Sequence, residues 1–131
     1  MPAADADRLR KVAQWLAYAE EDLRLARHAM TMDSQCPCRL VAYHAQQCAE
    51  KHLKAYLVMH GVDFPYTHNL GVLLERCAEH SREMAAGLDE ANELTPYAIT
   101  TRYPGEDEEV DRHEAESAIE VATRVRRAVR Q

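Results

Sequence analysis

The fold class is decided by residues 9–30, which read LRKVAQWLAYAEEDLRLARHAM. Within this stretch, apolar side chains recur at alternating intervals of three and four residues, which is the period of an α-helix. The apolar positions are Leu9, Val12, Leu16, Ala19, Leu23, Ala26 and Met30. They form one stripe along a helix that we predict to span residues 6–32 and to pack this stripe against the rest of the protein.

A second helix follows a break at residues 33–37. Pro37 suits a first helical turn, because its missing N–H would have had no partner within the helix. We predict that this helix ends near His60, since Gly61 is a typical residue just past a helix C-terminus. Its apolar residues are Val41, Ala45, Cys48, Ala49, Leu53, Tyr56 and Leu57. They cover more than one narrow stripe, which predicts a central helix packed on two neighbours.

The remaining sequence predicts two further helices. After an irregular link at residues 62–66, a capping side chain within Thr67-His68-Asn69 precedes a third, shorter helix that begins at Leu70. Residues 81–94 are compatible with a short extra helix or turn, and the last helix begins near Glu108 or Glu109. We therefore predict an all-α protein, an up-and-down antiparallel bundle of four main helices plus a short extra helix or turn.

The length and composition of the chain exclude several classes of protein. A chain of 131 residues fits one domain, residues 1–131, and four Gly with five Pro are too few for the turns of an all-β chain. The sequence has neither a secretory signal nor a run of 18 apolar residues, so we expect a cytoplasmic protein without membrane contact. The four cysteines are too few for a disulfide scaffold. A net charge of −6 argues against a general nucleic-acid coat but leaves room for a local basic site.

The sequence lacks the motifs that are typical of several classes of metal and cofactor site. None of the seven histidines follows a Glu by three residues, as the di-iron sites of helical bundles require. The sequence also contains no Gly-rich phosphate loop and no His-Glu-x-x-His motif. Cys36 and Cys38 are separated by one residue, whereas zinc-binding pairs usually have two to four between them. We therefore predict no metal site and no cofactor.

A polar stripe on the second helix allows two interpretations. His44, Gln47, Lys51 and Lys54 are spaced by three, four and three residues and so share one side of the helix. The simpler interpretation is a solvated helix face. The functional interpretation is an anion-binding surface, in which two ammonium groups one turn apart contact phosphates while the Gln and His side chains donate hydrogen bonds.

The second helix also carries a recognisable motif. It reads AQQCAEKHLKAYL over residues 45–57 and is followed by Gly61 and by THNL at residues 67–70. Together with Arg102-Tyr103-Pro104 before the last helix, this pattern resembles the HEPN family, named for higher eukaryotes and prokaryotes nucleotide-binding. The resemblance implies a helical bundle that is commonly dimeric and often encoded beside a minimal nucleotidyltransferase. On the hypothesis that the turn before the last helix packs beside the polar stripe, we assign a nucleotide-binding or anion-binding set to Gln47, Lys51, Lys54, His68 and Arg102.

The resemblance further implies a catalytic pattern. Many HEPN proteins are metal-independent ribonucleases that use an Arg, a polar residue and a His after about four to six intervening residues; the imidazole moves a proton and the guanidinium stabilises the transition state. This sequence departs from the pattern, because ten residues separate Arg102 from His113. Arg39 and His44 have the required separation, but they lie on the second helix and Leu40 is apolar. The candidate catalytic pair is therefore Arg102 and His113, with Arg39 and His44 as the alternative.

These observations favour a binding protein over an enzyme. We expect a homodimer that is the binding partner of a minimal nucleotidyltransferase in a two-gene module of toxin–antitoxin type, with contact to a nucleotide or RNA. The first alternative is a metal-independent ribonuclease toxin, although the unmet Arg-to-His spacing predicts weak or no ribonuclease activity for the isolated protein. The second is a structural adaptor with no ligand.

Overall fold

The computed structural model describes residues 3–99 and 109–131, and within these two ranges it is helical without strands. Its elements are α1 (Ala3–Ala29), α2 (Cys38–Met59), α3 (Leu70–His80), α4 (Arg82–Ala85), a 3-10 helix (Asp89–Ala98) and α5 (Arg112–Val129). The predicted all-α bundle is confirmed, with α1, α2, α3 and α5 as the main helices and two short extra elements. None of these helices combines the length and the apolar composition that a membrane span requires.

The helices α1 and α2 form an antiparallel pair. At the connecting turn the Cys36 thiol donates to the Ala29 carbonyl over 3.4 Å, and at mid-length Lys51 pairs with Asp22. The helix α5 also runs antiparallel to α1, since Arg112 donates to the Met30 carbonyl at the end of α1, and residues at the end of α5 pair with Glu20. The predicted bounds of the first helix lie within three residues of the observed ones at each end.

The central position predicted for α2 is confirmed by its burial. Its alanines, such as Ala45 and Ala49, are fully buried, as are Ala115 and Ala122 of α5. These small side chains let the helix backbones approach closely, and larger residues fill the remaining space. The largest fully buried apolar side chains are Leu23, Leu53, Leu57, Leu70, Leu73, Val41 and Val125. Burial of each leucine stabilises the fold by about 1.5–3 kcal/mol before entropy is counted.

Side-chain caps fix the starts of α3 and α5. The Asn69 side chain accepts a hydrogen bond from the Val72 amide over 3.1 Å, as a capping residue in the THN segment predicts. The Asp111 carboxylate accepts from the Glu114 amide over 2.7 Å, so α5 begins at Arg112. The prediction that this helix begins near Glu108 or Glu109 is wrong by a few residues, because the capping carboxylate lies further along the chain.

The N-terminal half of α1 lies beyond the end of α5. Because α5 ends beside Glu20, the predicted apolar stripe is buried from Ala19 to Ala26 but not before it. Leu9 is 41% exposed, and Val12 and Leu16 are only half-buried. The first two turns of the stripe are therefore left partly exposed.

Candidate functional site

Asp22 of α1 holds two side chains of the polar stripe on α2. Its Oδ1 atom lies 2.8 Å from Nδ1 of His44, and its Oδ2 accepts from the Lys51 ammonium over 2.5 Å. All three side chains lie partly below the surface in the groove between α1 and α2. Since Nδ1 of a neutral His44 then carries the proton toward the carboxylate, Nε2 is the atom left to act as acceptor or base.

Glu50 is the centre of a second, more deeply buried cluster. The residue is 3% exposed, and its Oε1 accepts from the Gln46 amide over 3.0 Å and lies 2.9 Å from Nδ1 of His68. Its Oε2 accepts from the Lys54 ammonium over 3.0 Å. Gln46 also donates to the His68 carbonyl over 3.1 Å, so the cluster attaches the α2–α3 link to α2. Buried polar groups are tolerated when they are satisfied in this way.

The interpretation of the α2 stripe as a solvated face is wrong. Lys54 is 5% exposed, Gln47 is also buried, and Gln47 donates to the Gln46 side chain over 2.7 Å. Among the described residues, every buried side-chain nitrogen or oxygen has a hydrogen-bond partner. The stripe is therefore divided between the Asp22 cluster and the Glu50 cluster, which we together call the polar network, and each of its two lysines is paired with a carboxylate.

An aromatic pair flanks the Lys54 ammonium. Its Nζ atom lies 5.5 Å from the ring centre of Trp15 and 5.7 Å from that of Tyr66, within the range of cation–π attraction. Tyr66 is 92% exposed, and its ring makes an edge contact with His68 at a centroid distance of 5.8 Å. The exposed Tyr66 ring thus lies beside the partly exposed side chain of His68, and His44 and Lys51 are partly exposed on the same side of α2 as Lys54. We call Tyr66, His68, Lys51 and His44 the Tyr66 surface.

Comparison with known protein families agrees with this architecture. The family model of the HEPN domain matches residues 12–131, which is nearly the whole chain. The chain belongs to the HEPN domain family. No curated protein and no solved structure matches it significantly.

The structure describes only three of the four candidate catalytic residues of this HEPN domain. Arg102 lies outside the described residues, whereas His113 is an exposed residue in the first turn of α5. Its neighbour Arg112 is bound to the carbonyls of Met30 and Met32. The alternative pair, Arg39 and His44, lies five residues apart on α2, so the two side chains leave the helix in directions about 140° apart. Both catalytic assignments stay predictions.

Four of the five predicted anion-binding residues lie in the polar network, although not as an open row of cations, and the fifth, Arg102, lies outside the described residues. Gln47, Lys51, Lys54 and His68 all belong to the network, but the Lys54 ammonium is enclosed and bound to Glu50. Lys51 and His68 are the members that reach the surface, with side chains 21% and 52% exposed. Anion binding by this HEPN domain stays a prediction, and the geometry favours Lys51 and His68 over Lys54 for direct contact.

Sequence reasoning missed the roles of Glu50 and Tyr66. Glu50 was visible only as part of a helical motif, and nothing in its spacing shows that it is buried. Tyr66 lies in a link without periodicity, where a lone aromatic residue carries no pattern. In the described parts of the chain, no group of three or more His, Cys, Asp or Glu side chains is arranged to hold a metal ion.

A further polar cluster supports the helix packing rather than the surface. His52 is fully buried, with Nδ1 2.9 Å from the Cys48 carbonyl and Nε2 accepting from Arg130 over 3.3 Å. Burial lowers the pKa of His52 to about 4, and it raises the pKa of the neighbouring Cys48 thiol to about 12. The pair is therefore a neutral imidazole and a protonated thiol, which is a structural state rather than an activated nucleophile.

Proposed function

We propose that this HEPN domain acts by binding, as the partner of a minimal nucleotidyltransferase in a two-gene module of toxin–antitoxin type, and that it contacts a nucleotide or single-stranded RNA through the Tyr66 surface. The observation that supports this proposal is the Tyr66 ring, which is almost fully exposed yet held beside a cluster of imidazole and ammonium groups. A nucleobase stacks on an exposed aromatic ring, and cations nearby attract its phosphate. Membership of the HEPN family agrees with nucleotide or RNA contact.

Charge pairing in the network limits direct phosphate contact to the lysine that reaches the surface. Lys51 is paired with Asp22 and Lys54 with Glu50, so these four groups carry no net charge together. A phosphate gains affinity by approaching the Lys51 ammonium from its exposed side. The base then supplies affinity through stacking on Tyr66, which does not require a free charge.

Replacing Tyr66 tests this assignment. We expect Tyr66→Ala to weaken the binding of AMP or of a short single-stranded RNA by about 5- to 150-fold, the equivalent of about 1–3 kcal/mol per stacked base, and Tyr66→Phe to bind nearly as well as the natural protein. Binding can be followed through the fluorescence of Trp15, the single tryptophan of the chain, and by calorimetry.

Two controls make the binding experiment specific. Tyr18→Ala removes another exposed aromatic residue that is bound to Gln14 on α1, and it should leave affinity unchanged. Ribose 5-phosphate, which lacks a base, should bind equally to the natural protein and to Tyr66→Ala, whereas Lys51→Gln should weaken it. Equal affinity of AMP for the natural protein and Tyr66→Ala would contradict the stacking role.

The uncovered apolar stripe of α1 supports self-association. Leu9, Val12 and Leu16 continue a stripe that is buried further along the helix, and a symmetric dimer would cover them with the same residues of a second copy. We expect the natural protein to sediment as a dimer of about 30 kDa at micromolar concentration, twice the 14.9 kDa of the chain. A Leu9→Glu, Leu16→Glu variant should sediment as a monomer.

A control for the dimer experiment lies on the same helix. Leu25 is also exposed, but it points about 180° away from Leu16 on α1, so Leu25→Glu should remain dimeric. A natural protein that stays monomeric across this concentration range would contradict the proposal.

Co-expression with a minimal nucleotidyltransferase from the neighbouring gene, followed by affinity purification of either protein, tests the proposed partnership with that enzyme.

One observation favours the ribonuclease alternative. The Asp22–His44 contact resembles an oriented acid/base, because the carboxylate fixes the imidazole and leaves Nε2 toward the groove. We nevertheless expect RNA to stay intact when incubated with the protein in EDTA, since the ten residues between Arg102 and His113 depart from the catalytic spacing of the family. Metal-independent cleavage that is lost in His44→Ala, while far-UV helicity is retained, would place the ribonuclease function first.

A further inference from the structure

The turn between α1 and α2 holds two thiols that are close in space. Pro37 has φ −79° and ψ 73°, the geometry of an inverse γ-turn, and the Cys38 amide donates to the Cys36 carbonyl over 2.8 Å. An inverse γ-turn brings the Cα atoms of its first and third residues within the roughly 4.4–6.8 Å that a disulfide spans. The backbone of the folded protein therefore already holds Cys36 and Cys38 at a distance that side-chain rotation can bridge.

Their surroundings differ from those of the other two cysteines. Cys36 and Cys38 are only partly buried, whereas Cys48 and Cys77 are completely buried in the helix core. The Cys36 thiol contacts the Ala29 carbonyl and lies 3.9 Å from the sulfur of Met30. Cys38 is the first residue of α2, and burial and the neighbouring Cys36 raise the pKa of its thiol although the Arg112 guanidinium acts to lower it.

We propose that Cys36 and Cys38 are a redox-active dithiol, which low-molecular-weight disulfides such as oxidised glutathione convert into an intramolecular disulfide. The thiolate of one cysteine attacks a glutathione sulfur; the glutathione S–S bond breaks, and one glutathione leaves and takes up a proton. The second cysteine loses its proton and attacks the mixed disulfide, which releases the second glutathione. Two protein thiols are thereby oxidised to one S–S bond, and one glutathione disulfide is reduced to two thiols.

Proximity makes the second step intramolecular. A sulfur held beside the mixed disulfide reacts much faster than a second glutathione molecule from solution, because no translational freedom is lost. The product closes a short ring through Pro37, so it is strained and readily reduced again, as labile rather than structural disulfides are. The pair is therefore suited to reversible exchange at the surface and not to stabilising the fold.

Mass spectrometry of tryptic peptides tests this proposal. Cleavage at arginine and lysine places both cysteines of the pair in the peptide 28–39, Cys48 in the peptide 40–51 and Cys77 in the peptide 77–82. Burial raises the pKa of Cys38, so the folded protein is incubated with oxidised glutathione at about pH 8.5 to populate the thiolate. After acid quenching and alkylation of remaining thiols, we expect the peptide 28–39 to be lighter by about 2 Da than its reduced form and to be unalkylated.

Single-cysteine variants distinguish this mechanism from simple surface reactivity. Cys36→Ser and Cys38→Ser should each stop at a mixed disulfide, with about 305 Da added to the peptide 28–39, and dithiothreitol should reverse all products. The peptides of Cys48 and Cys77 should be alkylated only after unfolding. Two glutathiones on the natural peptide, an unreacted peptide, or a disulfide that joins two chains would each overturn the proposal.

Discussion

Replacing Glu50 with alanine is expected to lower the free energy of unfolding by about 3–5 kcal/mol, because it leaves a buried ammonium group without its counter-ion. Lys54 is 5% exposed and its Nζ atom has Glu50 as its carboxylate partner. Gln46 and His68 lose an acceptor in the same step. Such a loss is a large fraction of the total stability of a small domain. Urea denaturation followed by circular dichroism measures it.

A double variant separates the cost of the unpaired charge from that of the lost contacts. Glu50→Leu combined with Lys54→Met removes both charges and keeps the volume, so it should recover most of the stability lost in Glu50→Ala. Glu116→Ala, at an exposed position on α5, is the matched control and should change the free energy of unfolding by less than about 0.5 kcal/mol. Equal stability of Glu50→Ala and the natural protein would show that this network does not support the fold.

Acidification is expected to destabilise the protein through His52. Burial holds the pKa of His52 at about 4, against an ordinary value of 6.5, with a further lowering from Arg130 and an opposing effect of the hydrogen bond to Cys48. Between these two values the unfolded chain binds a proton that the folded protein does not, so stability falls as the pH falls. The loss begins near pH 6.5 and reaches about 3 kcal/mol at pH 4.

A non-titrating side chain at position 52 isolates this contribution. The difference in unfolding free energy between pH 7.5 and pH 4 should be smaller by about 3 kcal/mol in His52→Gln than in the natural protein, whatever the cost of the substitution at neutral pH. His113→Gln replaces an exposed histidine and should leave the pH dependence unchanged. An identical pH dependence for His52→Gln and the natural protein would contradict the buried neutral imidazole.

Local patterns were sufficient to predict the helices. The period of apolar residues from Leu9 to Met30 predicted α1, and Pro37 and Gly61 predicted the limits of α2 to within a residue or two. These features succeed because helix period and termination depend on residues a few positions apart. The start of α5 was misplaced, since several acidic residues precede it and only the structure shows that Asp111 is the one that caps.

The sequence by itself determined the helical class, the central helix and membership of the HEPN family, all of which depend on neighbouring residues or on a contiguous motif. Only the tertiary structure decided what the motif does. Glu50 contacts His68 from the following link, and Lys51 contacts Asp22 from the preceding helix. The same spacing of His44, Gln47, Lys51 and Lys54 would suit a solvated face or an internal network, because helix period fixes the side on which a residue lies but not what packs against that side.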